Sequence, residues 1–196
     1  MKKISLILFF IILCSVSVSA QQLRVRVFSQ QKIKQTSFVP SFGRYSVEID
    51  GNLTRLSRTS NVKLSALNGK VEIRINDSVF ANSEKVTFKS EGIKSFFRLK
   101  PIAPEIAERR YDDALEVSVN NNGNLLLINI VEQENYIAGV VQSETWGATK
   151  NIDFFKVQAI CCRNYLFINM NKHSKDGYHL CDDVHCQAYK TRANQA

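Results

Sequence analysis

The sequence predicts an α+β protein, an antiparallel β region followed by a smaller helix-containing part, and three observations carry that prediction. From Leu23 to about Val131, apolar residues alternate with polar ones or form short runs: LRVRVFS, GRYSVEID, KVEIRI, KVTFKS, LEVSV and LLLINIV. That is the period of strands. The turn signals DGN, LNGK and NNNGN separate these runs, and their Asn and Gly residues tolerate the backbone that hairpins need. After Val131 the period changes, and FFKVQAICCRNYLFINM is apolar on nearly every side, the pattern of a helix packed on several faces.

The first element is a leader. MKKISLILFFIILCSVSVSAQQ sets two lysines before an uncharged apolar stretch and the small residues Val18, Ser19 and Ala20. The stretch is short for a bilayer span, and the small residues mark cleavage after Ala20. Residues 1–20 are therefore expected to be an export signal. Cys14 follows Ile11, Ile12 and Leu13, without the small residue that lipid attachment wants. No later run is long enough to span a membrane, so the mature chain is expected outside the cytoplasm, in the periplasm or against the cell envelope. Losing Lys2 and Lys3 lowers the basic count from 26 to 24 against 18 acids, a net of +6. Such an excess suits anionic partners, and export disfavours nucleic acid among them.

Residues 21–130 form the β-rich part. Its clearest hairpin pairs Leu115, Val117 and Val119 with Leu126, Ile128 and Ile130 across a turn at Asn120–Asn124. Residues 131–196 form the second part. Asn135 to Val141 opens a short helix, and Asn151 caps a long one from about Ile152 to Asn171, with Asp153 in its first turn. The face of that helix expected to be buried carries Phe155, Ile160, Cys161, Leu166 and Phe167, with Cys161 and Cys162 read as small interior residues.

Two places carry chemistry. In GVVQSETW, Glu144 stands between small polar residues and Trp146, the chain's single tryptophan. A glutamate beside a large aromatic in a partly apolar cleft is desolvated, which favours its protonated form and suits a general acid. Trp146 reads as an anchor of the loop to the core or as an exposed aromatic surface. On the long helix Lys156 and Arg163 share a stripe, with Gln158 near its edge. Polar residues on so apolar a helix carry information, or they merely reach water and cap neighbours.

The second place is HSKDGYHLCDDVHCQAYK, where all three histidines, His173, His179 and His185, fall beside Cys181 and Cys186. Imidazole with thiolate is a zinc ligand set, and a Cys-x4-Cys spacing lets both sulfurs meet one ion. A Cys181–Cys186 disulfide is the alternative in an exported protein. Of the histidines, His185 is expected to stay out, because adjacent ligands at His185 and Cys186 strain a tetrahedron. No G-x-S-x-G and no phosphate loop occur, so serine-hydrolase and nucleotide chemistry are disfavoured.

ENYIAGVVQSE, FKVQAICCRNY and GYHLCDDVHCQAY, in this order, resemble the stage II sporulation protein D family, the SpoIID/LytB domain. The resemblance covers Glu134 to Lys190. It implies a peptidoglycan lytic transglycosylase acting on glycan strands stripped of stem peptides, or a partner that enhances the N-acetylmuramoyl-L-alanine amidase that strips them. It puts the catalytic acid on Glu144 and substrate contacts on Lys156, Gln158, Arg163, Tyr165 and Gln187, with Trp146 beside them. For the metal loop it favours His173 with Cys181 and Cys186, His179 being the alternative and zinc a structural cofactor. Thr145 and Trp146 stand where a methionine-proline pair is common, and Cys161 and Cys162 replace alanines. Family members continue well past C-Q-x-Y, so residues 131–196 are expected to be the start of such a domain, its C-terminal part missing.

Overall fold

In the computed structural model, residues 21–193 are described. The expected leader, residues 1–20, lies outside them. An eleven-stranded sheet is joined to two helices, which makes the chain α+β. Its strands are β1 (Gln22–Arg26), β2 (Gln35–Ile49), β3 (Asn52–Leu56), β4 (Val62–Leu67), β5 (Lys70–Ile75), β6 (Ser78–Ser83), β7 (Lys85–Ala103), β8 (Arg109–Asp112), β9 (Ala114–Val119), β10 (Leu125–Glu132) and β11 (Leu180–Cys181). The helices are α1 (Gln133–Thr145) and α2 (Ile152–Asn169). Along the sheet the order is β11-β1-β10-β9-β7-β2-β4-β5-β6, with β3 added to β2 and β8 to β7. Every pairing is antiparallel except β1 with β11.

The long strands β2 and β7 pair over most of their length but slip register around Phe42. A slip of that kind bends both strands. The first half of β2 pairs with β4 and its second half with β3, while β7 pairs first with β9 and then with β8. Inside the fold, Phe38 stacks on Phe88 at 4.1 Å and lies 4.9 Å from Phe97. The aromatic chain continues from Phe97 through Tyr111 and Tyr189 to Tyr136 on α1. The strands and the helices thus share one apolar core.

The β9–β10 hairpin forms where the alternation put it, but its inward face differs. Leu125, Leu127, Asn129 and Val131 are buried, and of Leu126, Ile128 and Ile130 only Ile128 is buried while the other two are half-buried. LLLINIV is apolar at both parities, so alternation could not choose the face, and a shift of one residue exchanges the two. Asn129 is tolerated inside because every polar atom of its amide is used. Nδ2 donates to the carbonyls of Asp112 and Ala114 at 2.8 Å, and Oδ1 accepts from the Tyr189 hydroxyl at 2.9 Å.

Helix α2 begins where its cap predicts, with Asn151 Oδ1 accepting from Asp153 N at 2.9 Å. Its burial is narrower than expected. Cys162 and Leu166 are buried and Phe155 half-buried, whereas Ile160, Cys161 and Phe167 are exposed and Ile168 is 83 % exposed. Among the described residues one face of the helix packs on α1 and the rest stands open. Helix α1 approaches the C-terminal segment closely at Gly139, where a Cβ would lie 2.5 Å from Tyr189 Cε2 and 2.8 Å from the Thr191 carbonyl. Only glycine permits that crossing.

Candidate functional site

Glu144 occupies the last turn of α1, its side chain open to solvent. Gln158 Nε2 on α2 donates to its Oε2 at 2.8 Å, and the Cys162 thiol points at the same oxygen from 3.8 Å. Burial and, after it, the Glu144 carboxylate push the Cys162 thiol up to about 11, so the sulfur keeps its proton and remains a donor. The carboxylate is held by neighbours and not by enclosure.

Trp146 follows at the end of α1 and is 70 % exposed, so it does not anchor the loop to the core. It lines a groove of about 590 Å³ with Ile137, Val141 and Phe155, and the Glu134–Arg163 ion pair, 2.7 Å long, stands at the groove's side. Glu144 is absent from that lining. The residues expected to contact substrate therefore divide. Trp146 and Arg163 face the groove, and Gln158 faces Glu144. Lys156 reaches Asp153 at 2.9 Å on the open side of α2. Tyr165 donates to the His185 carbonyl at 3.4 Å. Gln187 is buried between the helices, accepting from Tyr136 Oη at 3.2 Å and donating to the Cys162 carbonyl at 3.4 Å. It ties the loop to the helix pair and does not face solvent.

The loop after α2 gathers four ligand atoms, from His173, Cys181, His185 and Cys186, all within 4.8 Å of one another. Cys186 Sγ lies 3.4 Å from His173 Nε2, and His185 Nδ1 lies 3.7 Å from Cys181 Sγ and 3.8 Å from Cys186 Sγ. A tetrahedral ion with metal–ligand bonds of about 2.0–2.3 Å needs edges of roughly 3.3–3.8 Å. These three separations match, while the set as a whole spreads to 4.8 Å, wider than a closed tetrahedron, so the four groups could hold a metal ion once drawn together. His185, set aside on the ground of strain, joins the cluster because the turn between Cys181 and Cys186 brings its ring round to both sulfurs. Asp176 Oδ2 lies 3.6 Å from His173 Nδ1, the place from which an outer carboxylate orients a ligating imidazole. Both cysteines carry free thiols. A hydrogen bond from Cys186 draws the Cys181 thiol well below its ordinary value and, as donor, Cys186 is held above its own. The pair shares a proton, and a cation would displace it.

His179 stands apart from this cluster. Its Nδ1 accepts from Arg24 N at 3.0 Å, which satisfies a backbone amide in the middle of β1, and burial with the nearby Arg24 charge lowers its proton affinity. The residue that fixes the loop went unnoticed in the sequence. Asp182, 1 % exposed, accepts from Phe28 N at 2.8 Å, Ser29 N at 2.9 Å, Ser29 Oγ at 2.6 Å and Arg109 Nη1 at 2.7 Å. Phe28 has φ of 53°, and the carboxylate satisfies the donors that this turn exposes. The only local signal was an acid directly after Cys181, which reads like any surface aspartate.

No curated protein and no solved structure matches the chain. Residues 121–196, the segment that carries both helices, Glu144 and the His/Cys loop, match the family model SpoIID, Stage II sporulation protein.

Proposed function

We propose that the protein is exported and acts on the cell wall, cleaving the glycan strands of peptidoglycan as a lytic transglycosylase with Glu144 as its acid and base. The observation that supports this most is the hold of Gln158 and Cys162 on one oxygen of Glu144, within the segment that matches SpoIID. In the reaction the Glu144 carboxyl gives its proton to the glycosidic oxygen and the bond from that oxygen to the anomeric carbon breaks. The 6-hydroxyl of the same muramic sugar then bonds to that carbon and returns its proton to Glu144. The product is a 1,6-anhydro end, and no second carboxylate is required. The glycan itself, laid over the open carboxylate, supplies the exclusion of water that this chemistry needs. Trp146 offers a stacking surface, and Arg163 offers a guanidinium to the lactyl carboxylates of strands stripped of peptide.

Zinc is the ion we assign to His173, Cys181, His185 and Cys186. Bound there, it cross-links the loop, and four protein ligands leave no open position for a reacting water. Its role is structural.

A second reading is a non-catalytic activator of the wall amidase, favoured by the openness of Glu144 and its absence from the helix groove. Peptide-free glycan incubated with the chain and analysed by mass spectrometry separates the two. Anhydro ends that fall about a hundredfold or more with Glu144→Gln support the enzyme. Reducing ends would mean hydrolysis, and amidase enhancement that survives Glu144→Gln without any glycan cleavage would favour the activator.

A further inference from the structure

At the far end of β10 from α1, the β9–β10 turn and the loop between β1 and β2 enclose a hollow of about 630 Å³. Every residue that lines it is polar, three of them are the cations Arg26, Lys32 and Lys34, and none is an acid. Among the described residues no carboxylate pairs with any of the three. By contrast Arg24, two residues before Arg26 on β1, is bound by Glu116 at 2.6 Å. Arg26 reaches Tyr178 Oη at 3.5 Å, and Lys34 Nζ donates to the Gly123 carbonyl at 2.6 Å. Two acids stand near. Asp182 grips Ser29 from inside the fold, where it is buried and paired with Arg109, and Asp176 lines the adjoining hollow beside Arg26 without an ion pair to it.

Both walls are held in place. The Gln31 amide donates to the Phe28 carbonyl at 2.9 Å, and Asp182 fastens the same loop at Phe28 and Ser29. In the facing turn Asn120 Oδ1 accepts from the Asn122 and Asn124 amides at 3.0 Å, which leaves Asn120 Nδ2 as a donor. Lys34 bridges the two walls through Gly123. The cations therefore converge on a hollow whose backbone is already set.

We infer that this hollow binds a phosphate ester of a polyol, its charged group against Arg26 and Lys32 and its hydroxyls against the amides of Gln30, Gln31 and Asn122. Three uncompensated cations repel a cation, and an apolar ligand meets no apolar side chain. A neutral sugar would leave the charges unanswered. A phosphate monoester brings nearly two negative charges and three acceptor oxygens, which suit ammonium and guanidinium donors together. A lone carboxylate fills neither the charge nor the volume. The hollow uses neither Glu144 nor the His/Cys loop, so the inference is independent of the glycan reading.

The probe is glycerol 3-phosphate, titrated calorimetrically into the whole chain at low salt. Arg26→Gln with Lys32→Gln is expected to weaken binding about tenfold or more. Lys70→Gln, which removes the same charge from an exposed place on β5, should leave it unchanged. Glycerate, a carboxylate on a like body, should bind about tenfold more weakly, as one charge does against nearly two. The variants are expected to melt with the parent, and Lys32→Glu, at an exposed position, replaces the pair if Arg26→Gln lowers the melting temperature. No binding by the parent, equal affinity in the folded double variant, an equal loss in Lys70→Gln, or glycerate binding as tightly as the phosphate overturns the site. Vesicles then separate the sources of the phosphate. Sedimentation with phosphatidylglycerol but not with phosphatidylcholine, lost in the double variant, supports the site with a lipid headgroup in it, and glycerol 3-phosphate binding without sedimentation supports it with a soluble ester. Anhydro ends from a parent chain that binds no phosphate would leave the reaction standing and refute the hollow alone.

Discussion

Gln158 and Asp182 show two ways in which a single side chain sets a site. Gln158 positions the Glu144 carboxylate from the neighbouring helix at 2.8 Å. Its loss leaves Glu144 free to turn, and in the proposed reaction misplacement of the acid is costly even over short distances. Gln158→Ala is therefore expected to lower kcat for anhydro-end formation by about tenfold to a hundredfold while KM changes little. A change confined to KM would make Gln158 a substrate contact instead. Asp182 acts on structure. Removing it strands the Arg109 guanidinium and the amides of Phe28 and Ser29. Asp182→Ala should lower unfolding free energy in urea by about 3–5 kcal/mol, the scale for breaking a buried charge pair, and a loss under 1 kcal/mol would contradict the clamp.

Among the elements, α2 is held along one stripe. Leu166→Ala removes a buried side chain and is expected to cost about 2–5 kcal/mol, whereas Ile168→Ala, on the open face, should stay within about 0.5 kcal/mol. Equal costs would mean that the open face is covered in solution. The Glu134–Arg163 pair links α2 to α1 at the surface, and a hydrogen bond from Arg163 holds the Glu134 carboxyl below its ordinary 4.5. Because the folded value is the lower one, the link contributes above the ordinary value and is lost as pH falls through the folded value. With both side chains more than a third exposed, water screens it to under about 0.5 kcal/mol. Arg163→Gln should therefore destabilise the chain by no more than that above pH 4.5, with the difference fading as pH falls through the folded value, and a larger difference, or one that grows in acid, would point to another group.

At the scale of the whole molecule, the His/Cys loop fastens the helix pair to the sheet. Cys181 ends β11, which lies beside β1, while His173 follows α2. An ion at the four ligands joins these elements, and binding to the folded chain alone stabilises it by about 2.7 kcal/mol at a hundred times the dissociation constant. Chelator treatment is thus expected to lower the melting temperature, zinc to restore it, and Cys186→Ser to remove the response. Melting indifferent to chelator, with two fewer free thiols under denaturing conditions, would replace the metal by a disulfide.

The sequence by itself determined the α+β class, the β9–β10 hairpin, the Asn151 cap and the residue types of both chemical clusters. These rest on local signals: alternation, turn residues, caps, and a crowding of His and Cys in one stretch. Gly139 was legible only as part of a motif, and its reason is the ring of Tyr189. The inward face of LLLINIV and the open face of α2 were not legible, because each is apolar on every side and only the neighbouring elements choose which side is covered. The choice of His185 over His179 also belonged to the tertiary structure. Ligand sets are decided by where a turn aims each ring, and pairing with β1 drew His179 away to Arg24 while the turn carried His185 to the two sulfurs.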